Sequence, residues 1–390
     1  MPATPAAQST ESKEWEGAIL SAMTEPVQNT IVAVGELGVS RHALQDLAQY
    51  SGGDAWFTQN EREALAWLDT RRPLAVLVPH ESDLAREIAL RVRAQSRHAL
   101  TPIVSLAKDV GDLTFAEAFG WGADDVVRAS HLDQLTRRLR ALPRAGMDSP
   151  PSARGRALVA DSDNVRRLVI GRVLRNAGYL VDFALNETDT CNVAQDGHPE
   201  LVVINQDLTR HPSALVETAR GSGVGATWFF TCPPRDLAAL RTRLASVPGA
   251  RVIDGYAPPE NILFLANEVR AGFTHNQRAT PRLLFGTSVR YRPAGASEDD
   301  IGYTYNLSVG GMYVRSLAPV EGKKVWVELQ PPRSNRHVRL VGEIVWQRPM
   351  RLDQHATTPP GFAIKLTDGA QDDMDAWREG YEAFRADMGL

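Results

Sequence analysis

Two arginines four apart, Arg278 and Arg282, bracket Ala279, Thr280 and Pro281. Later in the chain an asparagine and a serine two apart, Asn306 and Ser308, precede Gly310 and Gly311. Arginine presents a planar fork of N–H donors that fits a phosphate or the O6/N7 edge of guanine, and its plane stacks on a base. Pro281 restricts Thr280 to extended geometry, so both arginines fall on a linker able to wrap around a ligand. The run Tyr303 to Ser308 reads as a strand, and the strand period of two turns Asn306 and Ser308 to the same side. Gly310 and Gly311 permit positive φ and close backbone approach where that strand ends. Together these residues form a polar, cationic patch suited to an anionic guanine nucleotide. Taken singly, each piece also reads as ordinary: arginines beside a proline as solvated linker charge, and Asn-x-Ser before glycines as a turn.

In combination the two patterns resemble the PilZ family of bacterial cyclic di-GMP receptors. That family carries RxxxR on the segment entering a small antiparallel β-barrel and (D/N)xSxxG on an early strand. Arg278 and Arg282 match the first pattern; Asn306, Ser308 and Gly311 match the second. The resemblance implies that the arginines hold phosphates and guanine, that Asn306 and Ser308 hold a guanine edge, and that cyclic di-GMP is a ligand with no cofactor beside it. Where the family often has a further arginine before RxxxR, which accompanies a stacked ligand dimer, this chain has Gln277, so the stoichiometry stays open.

These residues must be positioned by a chain of 390 residues, long enough for two to four domains. Hydrophobic residues make up 43% and charged residues 23%, as in globular proteins, and the formal net charge of -4 argues against a generally basic nucleic-acid or membrane binder. No apolar run approaches the ~20 residues needed to span a bilayer. The first residues lack the basic and apolar regions of a signal peptide, so the expected location is cytoplasmic. Cys191 and Cys232 are far apart, form no CxxC and read as buried free thiols.

Residues 1–29 read as a flexible tail with a short helix around Trp15 to Met23. From residue 30 to 142, apolar strand runs such as Ile31–Val34 and Leu74–Val78 alternate with helices, which implies a doubly wound parallel sheet. Residues 143–155 form a Pro-, Gly- and Ser-rich linker, and the β/α pattern restarts over 156–271. Both units resemble response-regulator receiver domains. Thr101-Pro-Ile-Val-Ser-Leu and Gly120-Trp-Gly-Ala-Asp-Asp-Val-Val carry the likeness in the first. Its catalytic positions are eroded: Glu36 alone stands for the acidic pair, Pro79 occupies the phospho-acceptor position and Ala107 the switch position. His80 reads as a satisfied loop histidine. In the second unit Asp161 and Asp163 fit the acidic pair and Thr231 the switch hydroxyl, but Asn205 stands at the acceptor position. An amide cannot form an acyl phosphate; Asp207 is the displaced alternative. Asp163 reads first as a helix N-cap and only second as a weak divalent-ion ligand. Gly221–Gly225 lies between a helix and a strand and reads as a loop.

Residues 272–390 are then the barrel, with strands at 283–291, 302–307, 312–315, 325–329, 338–347 and 361–366 and a terminal helix over 372–386; Trp346 reads as core packing. The expected protein is a non-enzymatic cyclic di-GMP effector. It couples ligand binding to protein partners through the receiver-like units, or to a homodimer, in control of motility, pili, polysaccharide or development. A ligand-free scaffold and a response regulator phosphorylated on Asp207 or Asp161 are the rivals. Because the RxxxR segment joins the second unit to the barrel, ligand binding is expected to change the angle between them.

Overall fold

The computed structural model describes residues 28–144, 154–255, 257–271, 280–351 and 355–388. The expected helix at Trp15 to Met23, most of the first linker, Gln277 and Arg278 lie outside the described residues.

The first unit runs β1 (Gln28–Val34), α1 (Arg41–Tyr50), β2 (Asp54–Thr58), α2 (Glu61–Leu68), β3 (Pro73–Pro79), α3 (Asp83–Ala94), β4 (Ile103–Ala107), α4 (Asp112–Gly120), β5 (Asp125–Arg128) and α5 (Leu132–Arg140). Its parallel strands lie in the order β2-β1-β3-β4-β5, the flavodoxin-like arrangement. Both faces of the sheet are covered. Val32 and Val34 enter one core with Phe115 and Phe119, while Ile31 and Ala33 enter the other with Leu135 and Leu139. That is why β1 and β3 are continuous apolar runs rather than alternating ones. Helix starts follow side-chain caps: the Ser40 hydroxyl accepts from Ala43 N at 3.1 Å, and Asn60 Oδ1 accepts from Arg62 N at 2.9 Å.

The second unit repeats the plan with β6 (Gly155–Ala160), α6 (Asn164–Asn176), β7 (Tyr179–Ala184), α7 (Glu187–Gly197), β8 (Leu201–Asn205), α8 (Pro212–Gly221), β9 (Thr227–Cys232), α9 (Leu237–Leu244), β10 (Ala250–Asp254) and α10 (Asn261–Ala271). Its strand order, β10-β9-β8-β6-β7, is the same topology read from the other edge. Cys232 is buried, but Cys191 is only half-buried against that core; both are free thiols.

The third unit contains β11 (Leu283–Leu284), β12 (Ser288–Pro293), β13 (Asp300–Ser308), β14 (Gly311–Arg315), β15 (Lys324–Leu329), β16 (Val338–Arg348), β17 (Gly361–Gly369) and α11 (Gln371–Asp387). Six antiparallel strands close through the β13–β14 pairing, and β11 continues the β12 edge along the far end of β13. The single strand expected over 283–291 is broken in two. Gly286, within the break, lets Tyr303 approach closely: the tyrosine hydroxyl would be 2.4 Å from a β-carbon there.

The three units share buried side chains. Tyr303 of the barrel lies in one core of the first unit, and Leu317, just after β14, lies in the other. Arg172 of α6 bridges to Asp124 of the first unit at 2.7 Å, and Arg93 reaches the same carboxylate at 2.7 Å. Burial alone would raise the Asp124 carboxyl, but Arg172 and Arg93 bring it below the usual carboxylate range. Among the described residues no helix is long and apolar enough to cross a membrane.

Candidate ligand-binding site

The second motif lies on β13. Its pairing with β14 shifts register between Thr304 and Asn306, a bulge that leaves Tyr305 as the extra residue. Leu307 pairs with Leu283 on one side and Met312 on the other, and all three lie in the barrel core. The alternation of strand side chains therefore aims Asn306 and Ser308 out of the barrel. Arg282 immediately precedes Leu283, which pairs with Leu307, so the chain brings it to the end of β13 that carries Ser308. The fold thus puts Asn306, Ser308 and Gly311 on one side of one sheet, with Arg282 at the adjoining sheet edge. Gly311 is required there: a β-carbon would lie 2.1 Å from Ile364 O of β17. The Ser308 hydroxyl donates to Gly311 O at 3.4 Å, a weak bond that a ligand can replace.

Asn306 points outward yet is only 5% exposed. The second unit covers its neighbours. Phe264 of α10 packs edge-on against Tyr305 with ring centres 6.1 Å apart, and the Tyr305 hydroxyl donates to Glu260 O at 2.8 Å. Burial pushes that phenol well above its ordinary pKa. Glu260 also pairs with Arg315 of β14 at 3.0 Å, and the Arg315 guanidinium lies 3.6 Å over the Phe119 ring of the first unit. The site therefore lies on a face where all three units meet. No local spacing marks Glu260, Phe119 or Arg315, because each finds its partner far along the chain.

Register also places Trp346 in the row Asn306–Tyr313–Ala363–Trp346 across β13, β14, β17 and β16. The core position expected for it is not found. The bulge between Ile344 and Trp346 turns the ring outward, 40% exposed and 5.1 Å from the Tyr313 ring.

The receiver-like units present a different picture at their strand ends. His80 lies 3.3 Å from the Ser105 hydroxyl and 3.4 Å from Glu117, as a satisfied loop histidine should. In the second unit Asp163 caps α6, accepting from Val165 N and Arg166 N. Arg166 grips Asp161 with two bonds, Nε to Oδ2 at 2.9 Å and Nη2 to Oδ1 at 3.0 Å. Asn205 donates to the same carboxylate at 3.3 Å and accepts from Asp207 N at 2.9 Å, and the Asp207 side chain is exposed. The receiver fold implies a divalent cation held by the acidic pair. The residues here do not fit it: a guanidinium already neutralises Asp161, and Asp163 is spent on the helix cap. Among the described residues, no group of three or more His, Cys, Asp or Glu side chains is arranged to hold a metal.

The face of the first unit formed by α4, β5 and α5 is occupied by the barrel. Asp112 at the start of α4 accepts from Thr287 Oγ1 at 3.1 Å and from Ser288 N at 2.6 Å. Asp125 accepts from Leu317 N at 2.9 Å, and Gln134 donates to Asp299 O at 3.0 Å.

The PilZ domain family model matches residues 276–378. No curated protein matches the chain. Similar solved structures include the Bacillus subtilis inhibitor of motility MotI/DgrA, at 15% identity and TM-score 0.23, over 29% of this chain and 53% of that one. This chain thus spans about half of that relative's length. The PilZ domain of CeSA from a cellulose-synthesizing bacterium matches at 18% identity and TM-score 0.21, over 27% of this chain and 98% of that one. The chemotaxis response regulator CheY4 of Vibrio cholerae matches at 21% identity and TM-score 0.26, over 29% of this chain and 99% of that one. The chain carries a PilZ domain at residues 276–378, preceded by two receiver-like α/β domains.

Proposed function

We propose that this protein is a non-enzymatic cyclic di-GMP effector that binds its ligand on the outer face of the barrel and signals through protein contacts. The observation that carries the reading is the ladder register: the Leu283–Leu307 pair sets Arg282 next to the end of β13 that carries Asn306 and Ser308, and Gly311 pairs with Ser308 from β14. Arg278, four residues before Arg282, is assigned with it to the phosphates and guanine, and Asn306 and Ser308 to a guanine edge. The domain division proposed from sequence, with units at 30–142, 156–271 and 272–390, goes with this assignment. Motility, pili, polysaccharide or development is the proposed field of action, through partners that contact the receiver-like units.

Calorimetric titration with cyclic di-GMP on the wild type and Arg282→Ala is the test. Saturable binding that the substitution removes supports the reading; a folded wild type that takes up no ligand sinks it. The segment that carries Arg282 also joins the second unit to the barrel, so ordering it is the proposed route to output. A change of angle between these units has to break the Arg315–Glu260 pair. Small-angle scattering that is identical with and without saturating ligand would dismiss that route while leaving binding intact.

A second reading, a scaffold that binds no nucleotide, draws on the burial of Asn306 and on the second unit's packing against its neighbour Tyr305. The same titration separates the two.

A further inference from the structure

We infer that the C-terminal helix α11 is a positioning element for the ligand site, with Trp377 and Tyr381 holding the two motif arms at the separation the ligand requires. This rests on the cyclic di-GMP reading above. The two side chains are four apart on the helix and so share one face, and both are fully buried. Each carries one polar atom, and each aims it at a different arm. Trp377 Nε1 donates to Val309 O at 2.9 Å, at the residue between Ser308 and Gly310. The Tyr381 hydroxyl donates to Pro281 O at 2.8 Å, at the residue before Arg282. A single rigid helix therefore fixes both carbonyls, and its rise of about 1.5 Å per residue sets the distance between the two donors.

The helix itself is seated closely. Gly380 lets Pro332 O approach to a point only 2.5 Å from where a β-carbon would stand. Phe384 packs edge-on against Phe285, just after the first arm, with ring centres 5.3 Å apart. The arm needs this support. β11 has two residues and pairs only with β13, so the sheet alone holds Arg282 weakly. A buried indole or phenol must find a partner for its polar atom. Here both partners are backbone carbonyls of the segments that carry the motifs, so the helix presets the arms before ligand arrives. Presetting a loop in its bound form raises affinity by removing the cost of ordering it.

The test is titration of the full chain with cyclic di-GMP for wild type, Tyr381→Phe and Trp377→Phe, with the thermal midpoint of each free protein. Tyr381→Phe keeps the ring and removes one hydrogen bond. It is expected to weaken binding about three- to tenfold, while the midpoint falls by no more than about 4 °C. Hydrogen exchange should rise at 280–286 and stay unchanged in β15 and β16. Trp377→Phe should weaken binding as well, with faster exchange at 309–311. A wild type that binds while Tyr381→Phe binds equally well overturns the inference and leaves the ligand reading standing. A wild type that does not bind overturns both.

Discussion

Arg138 of the first receiver-like unit and Asp300 of the barrel lie 3.0 Å apart, 162 positions apart in sequence, with both side chains buried. Arg138 also bonds Asp125 at 2.8 Å and Ile301 O at 2.8 Å. Burial by itself would lower the guanidinium pKa, but Asp125 and Asp300 outweigh it and the pKa rises. Asp125 and Asp300 share the Arg138 guanidinium, and Arg137 also reaches Asp300, so removing Asp300 leaves Arg138 paired with Asp125 but strips the charged hydrogen bonds that cross between the two units. Asp300→Ala should therefore destabilise the protein by about 1.5–3 kcal/mol and open the contact between the barrel and the first unit. Denaturant midpoints and limited proteolysis between 255 and 300 will show it. Wild-type behaviour in both would mean that the network does not hold the units together.

The second receiver-like unit should be silent to phosphoryl donors. With Arg166 bidentate on Asp161 and an amide at Asn205, acetyl phosphate with Mg²⁺ should leave intact mass and thermal midpoint unchanged. Incorporation of one phosphoryl group, abolished by Asp207→Asn, would restore the response-regulator reading.

His98 makes stability depend on pH. It is buried, with Nε2 2.8 Å from Leu68 O and Nδ1 3.1 Å from the Thr101 hydroxyl. Burial pushes its pKa down from 6.5 to about 4, against the opposing pull of the Leu68 carbonyl. The unfolded chain binds this proton more readily than the folded one. Stability from this group is thus fully present above pH 6.5 and is lost as pH falls towards about 4. A drop from 6.5 to about 4 corresponds to about 3 kcal/mol over that window. Urea midpoints of wild type and His98→Gln between pH 4 and 7.5 check it: the variant should show a shallower slope, and equal slopes would refute the assignment.

Gly311→Ala should damage the site through the backbone. The added methyl meets Ile364 O, which belongs to the β14–β17 ladder, so the strands must part. The expected result is loss of cyclic di-GMP binding with a lower thermal midpoint, whereas Gly310→Ala, with open space around its β-carbon, should bind as wild type. Equal binding by both variants would show that close packing at Gly311 is not needed.

The local pattern of residues determined a good deal here. Apolar runs such as Leu74–Val78, bounded by capped helices, specify strands buried on both faces, and hence two parallel sheets. Asn306 and Ser308 share a face because a strand alternates with period two, and that holds in any fold that keeps the strand; Gly311 joins them only by pairing with Ser308 from the next strand. Trp346 shows where such reasoning stops, since a one-residue bulge turns a side chain from core to surface and leaves no mark in spacing. The close approach of Tyr303 to Gly286 likewise joins segments that spacing alone does not connect. Only the tertiary structure decided how the units meet. Arg138 finds Asp300, Arg172 finds Asp124, and Trp377 and Tyr381 find the two motif arms because chain folding brings distant segments together. Periodicity and capping report only on neighbours along the chain, whereas these ion pairs and hydrogen bonds are chosen by three-dimensional proximity and by the cost of burying a polar group without a partner.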